Sequence, residues 1–401
     1  MYSHHVTSII ILLTIACFVL TAARKVNLPY SIALVFVGLI ISFTQLTPDL
    51  SISSDVIFSI ILPPLLFHGA MHIDLENLKF NWKSIGMLAI PGVIVSTLLI
   101  GLILNHFIGL DMKYAFLLGA ILSPTDPISV LSILSKVGAP KRLRLILEGE
   151  SLFNDGTAVV IFSIMLGMIT GHKQFHAGET LLQFLTVTLG GTLIGLALGI
   201  LVFMILRKID DHLQEVSLTV ALTFGTPLIA EHFHLSGIIA IVIAGLVIGN
   251  YGKVFSMSEK TILALDHFWQ VIEFLINSIL FMVIGIELQF IGKHNLIIYW
   301  KEICVVVFAV TVSRLIVVYP VVWIKNSISH DKRDIPWKWA HILFWGGLKG
   351  SLCIALVVSL PRDVGFRDLF LTLAFAMVLI SLIFQGLTIK PLVQWLKIAK
   401  E

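Results

Sequence analysis

The sequence predicts an all-α protein that crosses a membrane many times, and two features of its composition support this prediction. Of its 401 residues, 57% are hydrophobic and only 13% are charged, whereas a soluble domain has about 25% charged residues. Apolar runs of roughly 20 residues recur from one end of the chain to the other, and each is long enough to cross the hydrocarbon layer. The segments between them are too short to hold a soluble domain.

Thirteen such runs are predicted as membrane spans. The first, near residues 6–23, follows no basic segment and contains no clear cleavage site of small residues. We therefore expect it to be a span that is retained, not a signal peptide. The spans are centred near residues 15, 37, 62, 95, 125, 160, 193, 222, 243, 276, 312, 349 and 381.

The charges between the spans predict their orientation. With the N-terminus outside, 19 of the 27 lysine and arginine residues fall in inner loops and the C-terminal tail, and 6 fall in outer loops. The remaining two, Arg314 and Lys349, lie within spans. This bias follows the positive-inside rule. It predicts a multi-pass protein of the plasma or inner membrane, with the N-terminus outside and the C-terminus cytoplasmic.

The remaining composition excludes several classes of protein. The three cysteines, Cys17, Cys304 and Cys353, all lie in apolar runs, which argues against a disulfide framework. A net charge of +3 is too small to predict a nucleic-acid partner. The aromatic and methionine residues are typical of membrane anchoring and packing, so we expect no cofactor.

Two spans are predicted to be interrupted. Residues 122–127, in span 5, read Leu-Ser-Pro-Thr-Asp-Pro, and two prolines cannot sit in an unbroken helix. Residues 346–351, in span 12, read Gly-Gly-Leu-Lys-Gly-Ser, and three glycines likewise weaken a helix. Irregular backbone at membrane depth survives only where it is buried in protein or lines a water-filled cavity.

The positions of the two interruptions predict an internal symmetry. They are seven spans apart, so spans 5 and 12 cross the membrane in opposite directions. Spans 1–6 and 8–13 could therefore be two inverted-topology repeats joined by span 7, with a pair of crossing discontinuous helices. Such paired breaks indicate the binding site of a transporter.

Span 6 contains polar residues in an apolar setting. Glu150 and Asn154 share one helix face, and Ser151 and Asp155 share another, because each pair is four residues apart. A charge near the membrane centre costs at least about 2.5–3.5 kcal/mol on insertion scales. A chain that keeps these groups there is expected to use them to hold a cation or a proton.

The residue types suggest separate tasks for the charged groups. Asp155, with Ser151 and the broken backbone at Thr125 and Asp126, can offer hard oxygen ligands to a small cation. The alternative for Asp126 is a helix-capping role, and both roles can coexist.

The other charged groups are interpreted as structural. Glu150 is expected to pair with Arg314, because an unpaired guanidinium would be prohibitive inside the membrane. Lys349 is expected to compensate the carbonyl ends of a broken helix.

Three motifs resemble the monovalent cation–proton antiporters, in particular the NhaP and sodium/hydrogen-exchanger branch. The resemblance covers essentially the whole chain, with further matches at residues 62–67, 234–237, 268–269, 277 and 285. The three motifs are residues 123–127 (Ser-Pro-Thr-Asp-Pro), 148–156 (Glu-Gly-Glu-Ser-Leu-Phe-Asn-Asp-Gly) and 344–350 (Phe-Trp-Gly-Gly-Leu-Lys-Gly).

The resemblance implies a role for each matching residue. Asp155 matches the carboxylate that binds the ion and the proton, and Asn154 stands where the electrogenic branch has a second Asp. Glu150 and Arg314 match a structural ion pair. The positions that complete the cation site are Thr125, Asp126 and Ser151.

Two positions depart from the family pattern. Lys349 stands where the family usually has Arg, so the charge is kept but the guanidinium fork is lost. His68 stands where the family usually has an acidic residue. It is interpreted either as a hydrogen-bonded interior histidine or as a group that modulates pH response and cation selectivity. Glu273 and Glu287 of span 10 could face a water-filled funnel, and Glu287 could equally be an interfacial charge.

Together these observations predict a secondary antiporter, not an enzyme, that exchanges Na⁺, or Li⁺ or K⁺, for H⁺ by competition at Asp155. The neutral Asn154 predicts electroneutral one-for-one exchange. The resemblance implies a homodimer in the bilayer. It also implies scaffold and dimerisation helices at residues 1–75 and 173–292, the latter including linker span 7, and a core transport bundle at residues 76–172 and 293–401.

Three alternatives remain open from the sequence. A K⁺/H⁺ antiporter of the same fold would use the same residues. A cation channel would need a continuous pore, but the chain shows no repeated filter motif. An intramembrane hydrolase would use Asp126 and Asp155 as paired carboxylates around one water.

Overall fold

The structure, a computed structural model, describes residues 2–26, 30–42, 56–171, 177–290, 297–328 and 335–398. Within these ranges the regular structure is helical throughout, without a β-strand. We number sixteen helices in the described chain. They are α1 Tyr2–Val26, α2 Tyr30–Ser42, α3 Ile57–His72, α4 Leu75–Ala89, α5 Pro91–Ile108, α6 Met112–Leu122, α7 Ile128–Lys136, α8 Lys141–Thr170, α9 Ala177–Leu206, α10 His212–His232, α11 Gly237–Phe255, α12 Glu259–Phe290, α13 Trp300–Ile328, α14 Trp337–Trp345, α15 Ser351–Val358 and α16 Arg367–Trp395.

The helices have the length and composition of membrane spans. Among the described residues, 8 helical stretches are long and apolar enough to cross a bilayer. Shorter apolar helices lie in α1, α2, α3 and α6. The all-helical membrane protein predicted from the sequence is therefore confirmed, whereas the count of thirteen crossings stays a prediction.

Short polar residues and glycine set several helix ends. Asp74 begins α4 by accepting hydrogen bonds from the backbone N–H groups of Glu76 and Asn77 at 2.8 and 3.2 Å. Gly109 ends α5 in the left-handed conformation, with φ of +77°. Such caps satisfy backbone groups that a helix end leaves unpaired.

Two short non-helical segments, each between two consecutive helices, contact each other. Residues 123–127 lie between α6 and α7, and residues 346–350 lie between α14 and α15. The backbone N–H of Asp126 in the first segment donates to the carbonyl of Leu348 in the second, at 2.8 Å. The two segments therefore satisfy part of each other's backbone hydrogen bonding inside the protein.

Glycine lets several helices approach to backbone contact. A Cβ added to Gly38 of α2 would collide with the backbone of Met282 in α12, and one added to Gly285 of α12 would collide with the backbone of Val35. In the same way, a Cβ on Gly119 of α6 would strike the carbonyl oxygen of Thr97 in α5. These positions can accept a side chain only if the helices move apart.

We predict that Gly285→Val destabilises the fold, because the added side chain forces α2 away from α12. Overpacking of this kind costs about 1–3 kcal/mol or more. The measurement is the temperature at which the purified protein stops eluting as a single species in detergent. Gly86→Val is the matched control, since a Cβ at Gly86 meets no atom within 4 Å. Equal melting of the two variants would contradict the packing argument.

Candidate functional site

Four polar residues of helix α8 line two different cavities. Ser151 and Asp155 line a large cavity. Glu150 and Asn154 instead line a second, much smaller cavity, beside Arg314. The spacing along α8 thus separates the two carboxylates into different surroundings.

The large cavity has a volume of about 310 Å³. It is enclosed by α3, the 123–127 segment, α8, α12 and the start of α15, so residues distant in sequence meet around it. Its polar and titratable lining residues are His68, His72, Thr125, Asp126, Glu148, Ser151, Asp155, Glu273, Asn277, Ser351 and Cys353.

Two buried carboxylate oxygens of residues that line this cavity lack a hydrogen-bond partner within the described residues. They are Oδ1 of Asp155 and Oδ2 of Asp126. A buried polar atom without a partner is costly. A bound proton or a small hard cation would satisfy such an oxygen, so the arrangement can hold either one. Oδ1 of Asn154, on the side of the smaller cavity, also lacks a partner among the described residues.

The side chains around Asp155 are held in place by hydrogen bonds to Thr125. Ser151 Oγ donates to the backbone carbonyl of Thr125 at 2.6 Å, and Asn154 Nδ2 donates to Thr125 Oγ1 at 2.8 Å. Asp126 Oδ1 accepts from the backbone N–H of Ile128 at 3.0 Å, which caps α7. The capping and ion-binding interpretations of Asp126 therefore concern different oxygens of one carboxylate.

Lys349 satisfies the free carbonyls of the 123–127 segment. Its Nζ donates to the carbonyl oxygens of Ser123 and Pro124, both at 3.0 Å, and the residue is only 3% exposed. Its backbone N–H donates to Ser381 Oγ at 2.9 Å, and that hydroxyl donates to Gln385. The cation of Lys349 is therefore placed to compensate the partial negative charge of a helix end.

Glu150 and Arg314 form a two-pronged ion pair. Nη1 and Nη2 of Arg314 donate to Oε1 and Oε2 of Glu150, and Nη2 also donates to the carbonyl of Leu343 at 2.7 Å. Glu150 is only 1% exposed. The pair joins α8, α13 and α14 on the side away from the large cavity.

His68 contacts a carboxylate at the large cavity. Its Nδ1 lies 2.6 Å from Oε2 of Glu273 on α12. One turn further along α3, His72 Nδ1 bonds to the carbonyl of His68 at 2.9 Å, and His72 Nε2 lies 3.5 Å from Oδ1 of Asp266. The side chain of Glu287, the other carboxylate considered on span 10, lies outside the described part of the chain.

Sequence reasoning missed several residues of this region. Ser381 and Gln385 were not considered, although two polar residues four apart in an apolar run were a usable signal. Glu148 and His72 line the large cavity, and Asp266 lies at its rim beside His72. No spacing rule connects these three, because they come from different helices.

Comparison with known proteins identifies relatives along nearly the whole chain. The sequence pattern of the family described as "Sodium/hydrogen exchanger, transmembrane" matches residues 9–395. The chain is 41% identical over 349 residues to the Na(+)/H(+) antiporter NhaP of Pseudomonas aeruginosa, covering 85% of this chain and 81% of the relative. It is 39% identical over 368 residues to the Na(+)/H(+) antiporter ApNhaP of Aphanothece halophytica, covering 92% and 70%.

A solved structure shares the fold. The sodium proton antiporter MjNhaP1 from Methanocaldococcus jannaschii, determined at pH 8, superposes with a TM-score of 0.79 over 98% of both chains. The sequences are 21% identical. The similarity therefore speaks for the architecture of the helices and not for individual side chains.

We predict that Arg314→Ala lowers thermal stability, because it leaves the carboxylate of Glu150 buried without its cation. Breaking one end of a buried ion pair costs about 3–5 kcal/mol. Glu150→Ala, which strands the guanidinium, is expected to act in the same direction. Thermal unfolding in detergent measures the effect, with Arg362→Ala at an exposed position as the control. Melting of all three variants like the parent would show that the pair does not support the fold.

Proposed function

The chain belongs to the sodium/hydrogen exchanger family, and from this premise we propose that it is a secondary antiporter that exchanges Na⁺ for H⁺ across a membrane. The family is one of transporters, so the protein is not an enzyme. The observation that supports the proposal most directly is the environment of Asp155. Its carboxylate faces the large cavity, and one of its oxygens is buried without a partner in the described structure.

The proposed mechanism is competition between two ions for one carboxylate. When Asp155 is deprotonated it binds the cation, helped by oxygens of Thr125, Ser151 and Asp126. When it is protonated the cation leaves. The charged and empty form is trapped, because moving an uncompensated carboxylate through a low-dielectric barrier is costly. No resident cofactor is needed for this cycle.

The described conformation is best interpreted as open to the inner side. The large cavity extends from Asp155 to His72, the last residue of α3. Near His72 lies Asp266, which pairs with Lys253 at the end of α11. The positive-inside orientation places these helix ends on the cytoplasmic face. A cation or proton from that side would therefore reach Asp155 through the cavity.

Two groups of helices are proposed to move against each other. Residues 1–75 and 173–292 would form the scaffold, and residues 76–172 and 293–401 the core bundle. The ion pair of Glu150 with Arg314 lies within the core. The bond of Trp269 to Thr219 lies within the scaffold.

Glycine packing supports the same division. The close backbone approaches described above join helices of one group, α2 with α12 and α5 with α6. Between the groups, glycine faces side-chain ends instead. A Cβ on Gly156 would meet the side chain of Ile239 at 3.3 Å, and one on Gly386 would meet that of Ile32 at 3.1 Å. Flexible side chains give way more easily than backbone, so the boundary is suited to sliding.

Within the described residues, a buried hydrogen bond crosses the boundary between the two groups. Ser31 Oγ of α2 lies 2.6 Å from Ser129 Oγ of α7. The bond links the scaffold to the broken helix that carries Asp126. It would have to break when the core moves, and a neutral hydroxyl pair contributes only about 1 kcal/mol.

The helix pattern supports thirteen crossings arranged as two inverted repeats. Each pair α4 with α5, α6 with α7, and α14 with α15 can form one crossing, and the other ten helices can each form one. The two interrupted pairs are then crossings 5 and 12. A homodimer in a cytoplasmic membrane completes the proposal, with the N-terminus outside and the C-terminus inside.

We predict that Asp155→Asn abolishes Na⁺-dependent proton movement while the protein still inserts and purifies normally. An amide cannot exchange a proton at ordinary pH, so the two states of the cycle are lost. The assay is dequenching of a pH-sensitive dye in proteoliposomes, titrated with Na⁺, Li⁺ and K⁺. Asp363→Asn, at an exposed position, is the control. Exchange by the Asp155→Asn variant would show that this residue is not part of the mechanism. Exchange by the parent protein with K⁺ but not with Na⁺ or Li⁺ would identify a K⁺/H⁺ antiporter.

We also predict that exchange is electroneutral, because Asn154 adds no second carboxylate beside Asp155. One cation then moves for each proton. The measurement is the exchange rate at saturating Na⁺ in vesicles whose membrane potential is clamped with K⁺ and valinomycin. An unchanged rate between zero and strongly negative potential is expected. Net charge moved in each cycle would contradict one-for-one exchange.

A further inference from the structure

We propose that His68 is a proton-transfer residue, whose Nε2 passes protons between the inner aqueous phase and Asp155. The proposal rests on the antiport function proposed above and adds a route for the proton to it. In each transfer, His68 Nε2 releases a proton to water in the cavity, and a proton is delivered through that water to the Asp155 carboxylate. The neutral imidazole then takes a new proton from the inner solution, and the reverse order unloads Asp155.

The geometry of His68 is that of an oriented imidazole. Nδ1 lies 2.6 Å from Oε2 of Glu273, so Nδ1 carries a hydrogen that it donates to this carboxylate. That bond fixes the ring and leaves Nε2 as the nitrogen that can gain and lose a proton. His68 lines the same cavity as Asp126 and Asp155, with a side chain that is 12% exposed.

Glu273 is a positioning residue in this arrangement. Its second oxygen, Oε1, accepts a weak hydrogen bond from Asn277 Nδ2 at 3.4 Å, one turn further along α12. Both residues line the cavity. The carboxylate therefore fixes the orientation of the imidazole ring within the cavity.

His72, the neighbouring histidine of α3, has a different geometry. Its Nδ1 is occupied by the carbonyl of His68, and its Nε2 faces Asp266, which Lys253 already holds at 2.7 Å. It lies at the rim of the cavity, one helical turn from His68. Both nitrogens of His72 therefore have a neighbouring oxygen, whereas the contact of His68 with Glu273 involves Nδ1.

The charges around His68 come from several helices. On α3 itself the neighbour is His72, and on α12 the neighbours are Glu273 and Asp266. The acidic groups that face the cavity from the other elements are Glu148 and Asp155 of α8 and Asp126 of the 123–127 segment, and the cation at the rim is Lys253 of α11. The cavity between His68 and Asp155 is therefore lined mainly by acidic groups.

The test compares maximal exchange rates in proteoliposomes under weak buffering, where proton delivery is limiting. His68→Ala should lower the maximal rate about tenfold or more, within the range that positioned acid–base groups contribute. The half-saturating Na⁺ concentration should change less than twofold. Added imidazole should restore the rate of His68→Ala, because it can enter the vacated space and carry the proton. His232→Gln, at an exposed position outside the cavity, should exchange like the parent.

Two further variants keep the test independent of misfolding. His68→Gln retains a donor for Glu273 but has no second titratable nitrogen, so it should fold and remain slow. Glu273→Gln should be slower than the parent, because the ring loses the carboxylate that orients it.

Several results would overturn the relay. They are a parent-like maximal rate for His68→Ala and His68→Gln, failure of imidazole to restore His68→Ala, or a change confined to Na⁺ half-saturation. Imidazole should not restore Asp155→Asn, which separates the relay from the ion site. Absence of Na⁺-driven proton movement in the parent itself would instead defeat the antiport function, and the relay with it. Exchange in the parent with no effect at His68 would defeat the relay alone.

Discussion

Backbone groups that no helix can satisfy are the constraint on which the site depends. The 123–127 and 346–350 segments place carbonyl and amide groups in the interior of a membrane protein, where water is scarce. Lys349 satisfies two of these carbonyls, and the N–H of Asp126 satisfies the carbonyl of Leu348. Without these bonds the two breaks could not persist, and Thr125 and Asp126 would not face the cavity. The cation of Lys349 therefore stabilises irregular backbone and does not neutralise Asp155 by direct contact.

Glu150 and Asp155 of α8 show how position on one helix gives two carboxylates different surroundings. Glu150 receives both prongs of Arg314 and is sealed from water, so its charge is permanently compensated. Asp155 lies five residues on, faces the cavity and keeps an oxygen without a protein partner. A carboxylate with a fixed cation supports the fold, whereas one that keeps an oxygen without a protein partner suits the proposed exchange of two ions. The rotation of about 100° per residue in a helix is sufficient to separate them.

Much of this could be predicted from the sequence, because membrane depth makes each polar residue informative. The helical class follows from apolar runs, and the breaks follow from Pro124, Pro127 and the glycines of 346–350. Arg314 and Lys349 could be assigned separate tasks because they are the two cations within spans. The contact of His68 with Glu273 could not be predicted, since it depends on how α3 packs against α12. The hydrogen bond of Ser381 with the backbone N–H of Lys349 could not be predicted either. Periodicity describes one helix at a time, whereas a site between helices also depends on how the helices are placed relative to each other.

The glycines of this protein have a consequence for interpreting genetic variation. At Gly38, Gly119 and Gly285 the neighbour is main chain, so we expect a missense change there to disturb helix packing and lower the amount of folded protein. At Gly156 and Gly386 the neighbour is an isoleucine side chain, so alanine there is expected to disturb the fold less and to act on the boundary between the two proposed groups of helices. An assay of transport alone would score both classes as loss of activity. Measuring the amount of protein in the membrane at the same time would distinguish a variant that does not fold from one that folds but exchanges slowly.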